Sequence, residues 1–134
     1  MADIVITPAN VSRVDGSVQT KNAGVAITAG DSVFVDSTGV LQLCVNDNTA
    51  VEAACSGLAL NDGAVGQPIT YQVSGNLDAG GTLVAGEVYV VGAAAGAIAP
   101  VADVVATEFA TVIGIATAAG NLKMGLLPSG VAAA

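Results

Sequence analysis

The six residues Ile69-Thr70-Tyr71-Gln72-Val73-Ser74 decide the fold. Ile69, Tyr71 and Val73 alternate with Thr70, Gln72 and Ser74, the period of two expected when one strand face lies in a core and the other meets water or a partner. Outward from this stretch, short Val- and Ile-rich runs recur between clusters of Gly, Asn, Asp and Ser, at spacings of roughly 8 to 15 residues. Such punctuation predicts an all-β domain, mainly antiparallel, built as a small sandwich or barrel. Ser32 to Asp36 and Val40 to Val45 flank Ser37-Thr38-Gly39 and read as a hairpin closed by glycine. Thr111 to Thr117 and Leu122 to Leu127 flank Ala118-Ala119-Gly120-Asn121, a second hairpin in which Gly120 is expected to supply a positive φ. Only Asn48 to Cys55 breaks the pattern. It is alanine-rich, has Thr49 and Glu52 at capping-box spacing, and ends at Gly57, so one short helix is expected there.

The chain also repeats itself. Ala29-Gly30-Asp31 before Val33-Phe34-Val35 matches Ala85-Gly86-Glu87 before Val88-Tyr89-Val90, Gly57-Leu58-Ala59 matches Gly114-Ile115-Ala116, and Ser74-Gly75 matches Ser129-Gly130, at offsets of 56, 57 and 55. Constant order and near-constant spacing predict two copies of a β unit, over 29–75 and 85–130, each completing the core of the other. On this alignment Phe34 and Tyr89 are equivalent core aromatics. Residues 1–23 read as an extended N-terminal arm with one or two strands, 24–130 as a single β domain and 131–134 as a C-terminal tail.

Composition narrows the function. The chain has 134 residues, 11 acidic side chains against 3 basic ones, a net charge of −8 and no histidine. Too few cations are present to track a phosphate backbone, so nucleic-acid binding is excluded, and imidazole chemistry is absent. Charged residues make up 10% of the chain where about 25% is usual, and 53% are hydrophobic. Much of the outer surface is therefore uncharged, as when other protein covers part of it. The longest charge-free run, Val88 to Ala102, is broken by Gly92, Gly96 and Pro100, and no segment approaches the roughly 18 apolar residues needed to span a membrane. The start, Met1-Ala2-Asp3, has no basic region leading into an apolar run and so reads as no export signal. Cys44 and Cys55 are too few for a disulfide framework and read as buried thiols kept reduced in the cytoplasm where the chain is made.

No motif carries catalysis. Asp31, Asp36, Asp62 and Asp78 are scattered singly at turns rather than paired as in glycoside hydrolysis, and no GxSxG elbow is present. The glycines at 57, 63 and 66 lack the lysine and hydroxyl that follow a phosphate loop. Asn46-Asp47-Asn48 with Glu52 lacks EF-hand ligand spacing and is better explained as a helix cap. Neither a cofactor nor a metal is expected.

In order, Ala29-Gly30-Asp31, Gly57-Leu58-Ala59-Leu60-Asn61-Asp62, Gly66-Gln67-Pro68-Ile69-Thr70, Ser74-Gly75, Gly86-Glu87-Val88-Tyr89, Ile98-Ala99-Pro100 and Ile113-Gly114-Ile115-Ala116 resemble the small decoration, or cement, proteins of tailed-bacteriophage heads. The resemblance covers residues from about 24 to 130. It implies a compact β fold, a homotrimer, and a place on the capsid exterior of the virion, where neighbouring major capsid protein subunits are tied together without any reaction. In such proteins an N-terminal arm helps grip the lattice, which suits residues 1–23 here, and Ile4, Val5, Ile6, Val11, Arg13 and Val14 are the contacts expected of it. The alternative is a receptor- or glycan-binding β module of a fibre or surface structure. That alternative predicts aromatic side chains exposed in a groove, whereas decoration predicts Phe34, Tyr71, Tyr89 and Phe109 inside.

Overall fold

A computed structural model of the chain describes residues 6, 11–45, 55–81, 83–92, 95–101 and 109–132. Within them lie eleven strands: β1 (Val11–Arg13), β2 (Val18–Asn22), β3 (Ser32–Val35), β4 (Leu41–Leu43), β5 (Gly57–Ala59), β6 (Pro68–Gln72), β7 (Gly75–Ala79), β8 (Val88–Val91), β9 (Ile98–Pro100), β10 (Phe109–Ala118) and β11 (Asn121–Ala132). They form two antiparallel sheets, ordered β2-β6-β5-β3-β4 and β1-β7-β11-β10-β8-β9. The all-β architecture is as the alternating runs require. Residues 46–54, which hold most of the expected helix and all of the Asn46-Asp47-Asn48-Glu52 cluster, lie outside the described residues. So do Ile4 and Val5, and the Phe109 side chain.

The two sheets share one pairing order. The order β6-β5-β3-β4 in one sheet is repeated as β11-β10-β8-β9 in the other, with β2 and β7 alongside in equivalent places. Register agrees residue by residue: Val33 faces Gly57 and Leu43, and Tyr89 faces Gly114 and Pro100, offsets of 56, 57 and 57. The last strand of each unit is displaced. Tyr71 faces Ala59 where Leu122 faces Ala116, an offset of 51, because eight residues join β5 to β6 but only two join β10 to β11. Two equivalences expected from sequence are therefore corrected. Ser129-Gly130 does not occupy the place of Ser74-Gly75, and the counterpart of Phe34 is Val90, that of Tyr89 being Val33. A shift of one residue along a strand changes its face.

Both hairpins form. Val33, Phe34 and Val35 pair with Leu43, Gln42 and Leu41 beside Gly39 at φ 86°, and Ala118 pairs with Asn121 around the two-residue turn Ala119-Gly120. Gly120 is not at positive φ, so that turn does not depend on glycine as expected.

Two apolar clusters hold the units. In the five-stranded sheet Val33, Leu41, Ala59, Ile69 and Tyr71 point to one side, and the parallel bridge from Ala23 to Leu41 joins the ends of the sheet so that it curls around them with Ile27 as a cap. The opposite side of the same sheet, with Phe34, Leu58, Cys44 and Cys55, packs against Tyr89, Val91, Ile98, Ala116 and Leu122 of the six-stranded sheet. β3 is thus covered on both faces, which is why Ser32-Val33-Phe34-Val35 does not alternate in polarity.

Candidate interface at the paired crossovers

The chain passes from the six-stranded sheet to the five-stranded one between β1 and β2, and back again between β6 and β7. These two crossovers lie side by side. Val14 and Asp15 N–H groups both donate to the Asn76 carbonyl (3.0 and 3.1 Å), the Val73 N–H donates to the Ser17 carbonyl (3.0 Å), and the Ser17 N–H donates to Ser74 Oγ (3.3 Å). Asn76 returns its own N–H to Asp15 Oδ1 at 2.8 Å. That backbone bond, with the Asn76 side-chain amide and the nearby Arg13 guanidinium helping, holds the Asp15 carboxyl below its ordinary pKa.

Beneath the crossovers sits Gln72. Sequence alternation assigned it to the wet or partner-facing side with Thr70 and Ser74; Ser74 is indeed exposed and Thr70 half-buried, but Gln72 is fully buried. Its Nε2 donates to the carbonyls of Asp15 (2.7 Å), Ser74 (2.8 Å) and Asn76 (3.0 Å), while Oε1 has no hydrogen-bond partner among the described residues. An amide carries two N–H bonds, so three carbonyls converging on Nε2 fix which way the amide points. Glycine allows the close approach. A Cβ on Gly16, at φ 97°, would stand 2.0 Å from the Ser74 carbonyl oxygen, and one on Gly75, at φ 85°, would stand 2.5 Å from Gly16 Cα.

The clamp presents a defined surface. Arg13 is exposed with Nε donating to the Gly16 carbonyl at 2.9 Å, and Val14 and Val18 are 60% and 41% exposed. Among the described residues β1 is the edge strand of its sheet and pairs with β7 on one side, an edge of the kind that can accept another strand. Of the chain's three cations, Arg13 lies here, while Lys21 sits further along β2 opposite Ile69. The six residues expected to grip a partner divide accordingly. Arg13 and Val14 face outward, Val11 is buried in the larger core cluster, and Ile6 is half-buried against it. From Val11 onward the proposed arm is woven into both sheets, because Val11 and Leu77 fall on the same core-facing side when β1 pairs with β7.

Elsewhere the polar side chains serve the turns. Asn61 accepts from the Thr70 N–H (2.7 Å) and donates to the Pro68 carbonyl (3.3 Å). Asp62 accepts from the Ala29 N–H (2.7 Å) and Asp31 from the Thr28 N–H (2.9 Å). Burial, with Asp62 nearby, raises the Asp31 pKa despite that last bond. An open hollow of about 410 Å³ is lined by Val25, Phe34, Gln42, Leu43, Val45 and Ala95, and its one polar side chain, Gln42, is tied to Asp36 at 3.1 Å. Such a lining offers no nucleophile and no ionisable group. Among the described residues no three His, Cys, Asp or Glu side chains converge as metal ligands. Phe34, Tyr71 and Tyr89 are buried, and both tyrosine hydroxyls are bonded within the protein, to Gln19 Oε1 (3.1 Å) and from the Val84 N–H (2.9 Å). Comparison with known proteins finds no matching family, no matching curated sequence and no matching solved structure.

Proposed function

We propose that this chain is a structural virion protein, a decoration or cement protein that binds the outer surface of a phage capsid and strengthens contacts between major capsid protein subunits. The observation that carries the reading is the clamped β1–β2 crossover, which holds Arg13, Val14 and Val18 outward beside an open strand edge. A rigid apolar patch with a cation at its rim loses little conformational freedom on docking, and an open edge can accept a strand from the partner. Arg13 and Asp15 leave the crossover locally neutral in a chain of net charge −8, which favours a weakly charged or neutral acceptor at that point and repulsion of acidic surfaces elsewhere. Many modest contacts repeated over a symmetric shell act together, so no reaction and no large single interface is required. Burial of Phe34, Tyr71 and Tyr89 favours this reading over a glycan-binding groove, which needs aromatic faces in the open. Self-association into a homotrimer is part of the proposal. It is supported by the largely apolar hollow on the β10–β11 hairpin, lined by Val112, Ile115 and Met124 with Lys123 at its side, where Ile115 is 47% exposed.

The test is binding to expanded heads of the phage whose genome carries the sequence. Deleting residues 2–20 would remove β1 and most of β2 and confuse folding with gripping. Val14→Asp combined with Val18→Asp changes only exposed side chains, and Val65→Asp, at a site 69% exposed and far along the chain, is the control. Expected is at least a tenfold loss of occupancy for the double variant with an unchanged melting temperature, and full occupancy for the control. Full occupancy by the double variant refutes the role of the crossover.

A further inference from the structure

The two β units are built alike but covered unequally. In the first, Ser32, Leu58 and Gln72 lie side by side across β3, β5 and β6 and are 0%, 1% and 0% exposed. Their counterparts Val88, Ile115 and Lys123 lie side by side across β8, β10 and β11, at offsets of 56, 57 and 51. Val88 is half-buried, Ile115 is 47% exposed and Lys123 is exposed. The turns that lead into the two rows differ in the same way. They are equivalent, because the Asp31 N–H donates to the Thr28 carbonyl and the Glu87 N–H to the Val84 carbonyl, both at 3.0 Å. Ala29 and Gly30 are buried, and a Cβ on Gly30 would stand 2.7 Å from Ile6 Cγ2; Val84, Ala85 and Gly86 are exposed, and a Cβ on Gly86 would meet nothing within 4 Å.

Exposure rises from the first unit to the second while polarity falls. Ser32 gives way to Val88, and Thr28 to Val84, which is 65% exposed. Apolar side chains that stand further into solvent than their polar counterparts mark a surface that another protein covers. Beside Ile115 the hollow of about 250 Å³ is partly floored by glycine, and a Cβ on Gly125 would enter open space. Glycine within a strand marks a place where another chain comes close. The adjoining turn is fixed: the Leu83 N–H donates to the Ala119 carbonyl (2.8 Å) and the Val84 N–H to the Tyr89 hydroxyl (2.9 Å). One face thus carries both halves of a contact, a rigid apolar tip with an acid, Val84 and Glu87, and an apolar hollow with a cation, Lys123. We propose that this face docks a second copy of the chain, the Val84–Glu87 turn of one copy lying over the Ile115 hollow of the next, with Glu87 against the partner's Lys123. A foreign protein needs only one of the two halves; a face that holds both is complementary to itself. The inference rests on the self-association in the proposed function and names its surface, apart from the capsid contact at Val14 and Val18.

The test measures the mass of the full chain by light scattering over a wide range of concentration, with hydroxyl-radical labelling of Val84 and Ile115 at the two ends of that range. Expected is reversible assembly that shields both residues. Gly125→Val, which fills the hollow from a position with free space, and Lys123→Glu should each weaken association at least tenfold at an unchanged melting temperature. Glu87→Lys should do the same alone and restore association when combined with Lys123→Glu. Val14→Asp with Val18→Asp should assemble like the parent, so that loss of capsid binding and loss of self-contact are read separately. Three copies agree with the homotrimer; two copies with the same variant behaviour keep this surface and overturn the trimer alone. A parent that stays monomeric at every concentration, association that Gly125→Val and Lys123→Glu leave intact, or a charge exchange no better than the single changes overturns the proposal. Labelling of the parent decides even if a variant does not fold, since assembly that leaves Val84 and Ile115 as reactive as in the monomer also overturns it.

Discussion

Replacing Gln72 tests whether one buried amide joins the two crossovers. Its two Nε2 N–H groups are shared among three carbonyls, worth about 1 kcal/mol per N–H in net stability, while the unpartnered Oε1 already costs about 1–3 kcal/mol. Gln72→Met keeps the length, loses the three bonds and removes the orphan oxygen. The Asn76 carbonyl retains donors in Val14 and Asp15, so the net loss should be only about 1–2 kcal/mol. Gln72→Glu is worse. It places an anion against three carbonyl oxygens at the distances Nε2 now occupies, and burial with no cation raises the acid's pKa in the folded state. An acid with a raised folded pKa destabilises above that value and is relieved as pH falls below its unfolded value of about 4.3. The loss at pH 7 should be about 4 kcal/mol or more, a large share of the about 5–15 kcal/mol typical of a domain, and should shrink by pH 4. Urea unfolding at both pH values measures this. If Gln72→Glu at pH 7 lies within about 0.5 kcal/mol of the parent, the amide is not a pin and the clamped surface loses its physical basis.

Gly16→Ala should cost more than about 2 kcal/mol, since it combines a positive φ with a Cβ 2.0 Å from the Ser74 oxygen; thermal unfolding measures the cost. The Asp36 carboxylate accepts from the Thr38 hydroxyl (2.6 Å), the Thr38 N–H (2.9 Å), Gln42 Nε2 (3.1 Å) and the Val40 N–H (3.3 Å), which brings its pKa down to about 2. A lowered carboxyl stabilises above its unfolded value and the benefit is lost as pH falls through the folded one, so the β3–β4 turn should stay ordered at pH 3 and loosen near pH 2. Amide exchange at Thr38 and Val40 reports it. Asp31→Asn should melt at the parent's temperature or higher at pH 7, because burial penalises the charge, and the difference should vanish near pH 3.

Much of the fold was legible because its signals are local. Gly39 closes a hairpin three residues wide, and the Ala-Gly-acid turns at 29–31 and 85–87 look alike because Gly30 and Gly86 both adopt positive φ, at 93° and 87°, before equivalent strands. The site was legible only in part because its contacts are distant. Gln72 resembles a wet strand residue until Asp15, 57 residues earlier, closes over it. Val11 resembles part of a free arm until β7 arrives at Ala79 to pair with it. Phe34 and Tyr89 looked equivalent because both are aromatic and near the same turn; the pairing shows them one position apart.

The proposed role is a statement about where the chain sits in a phage particle, and near-atomic imaging of intact virions asks that directly. The account predicts repeated copies of this two-unit β fold on the outer face of the head, with Arg13, Val14 and Val18 against major capsid protein. Heads with no such density, or copies docked through another face while the β1–β2 crossover stands in solvent, would contradict it.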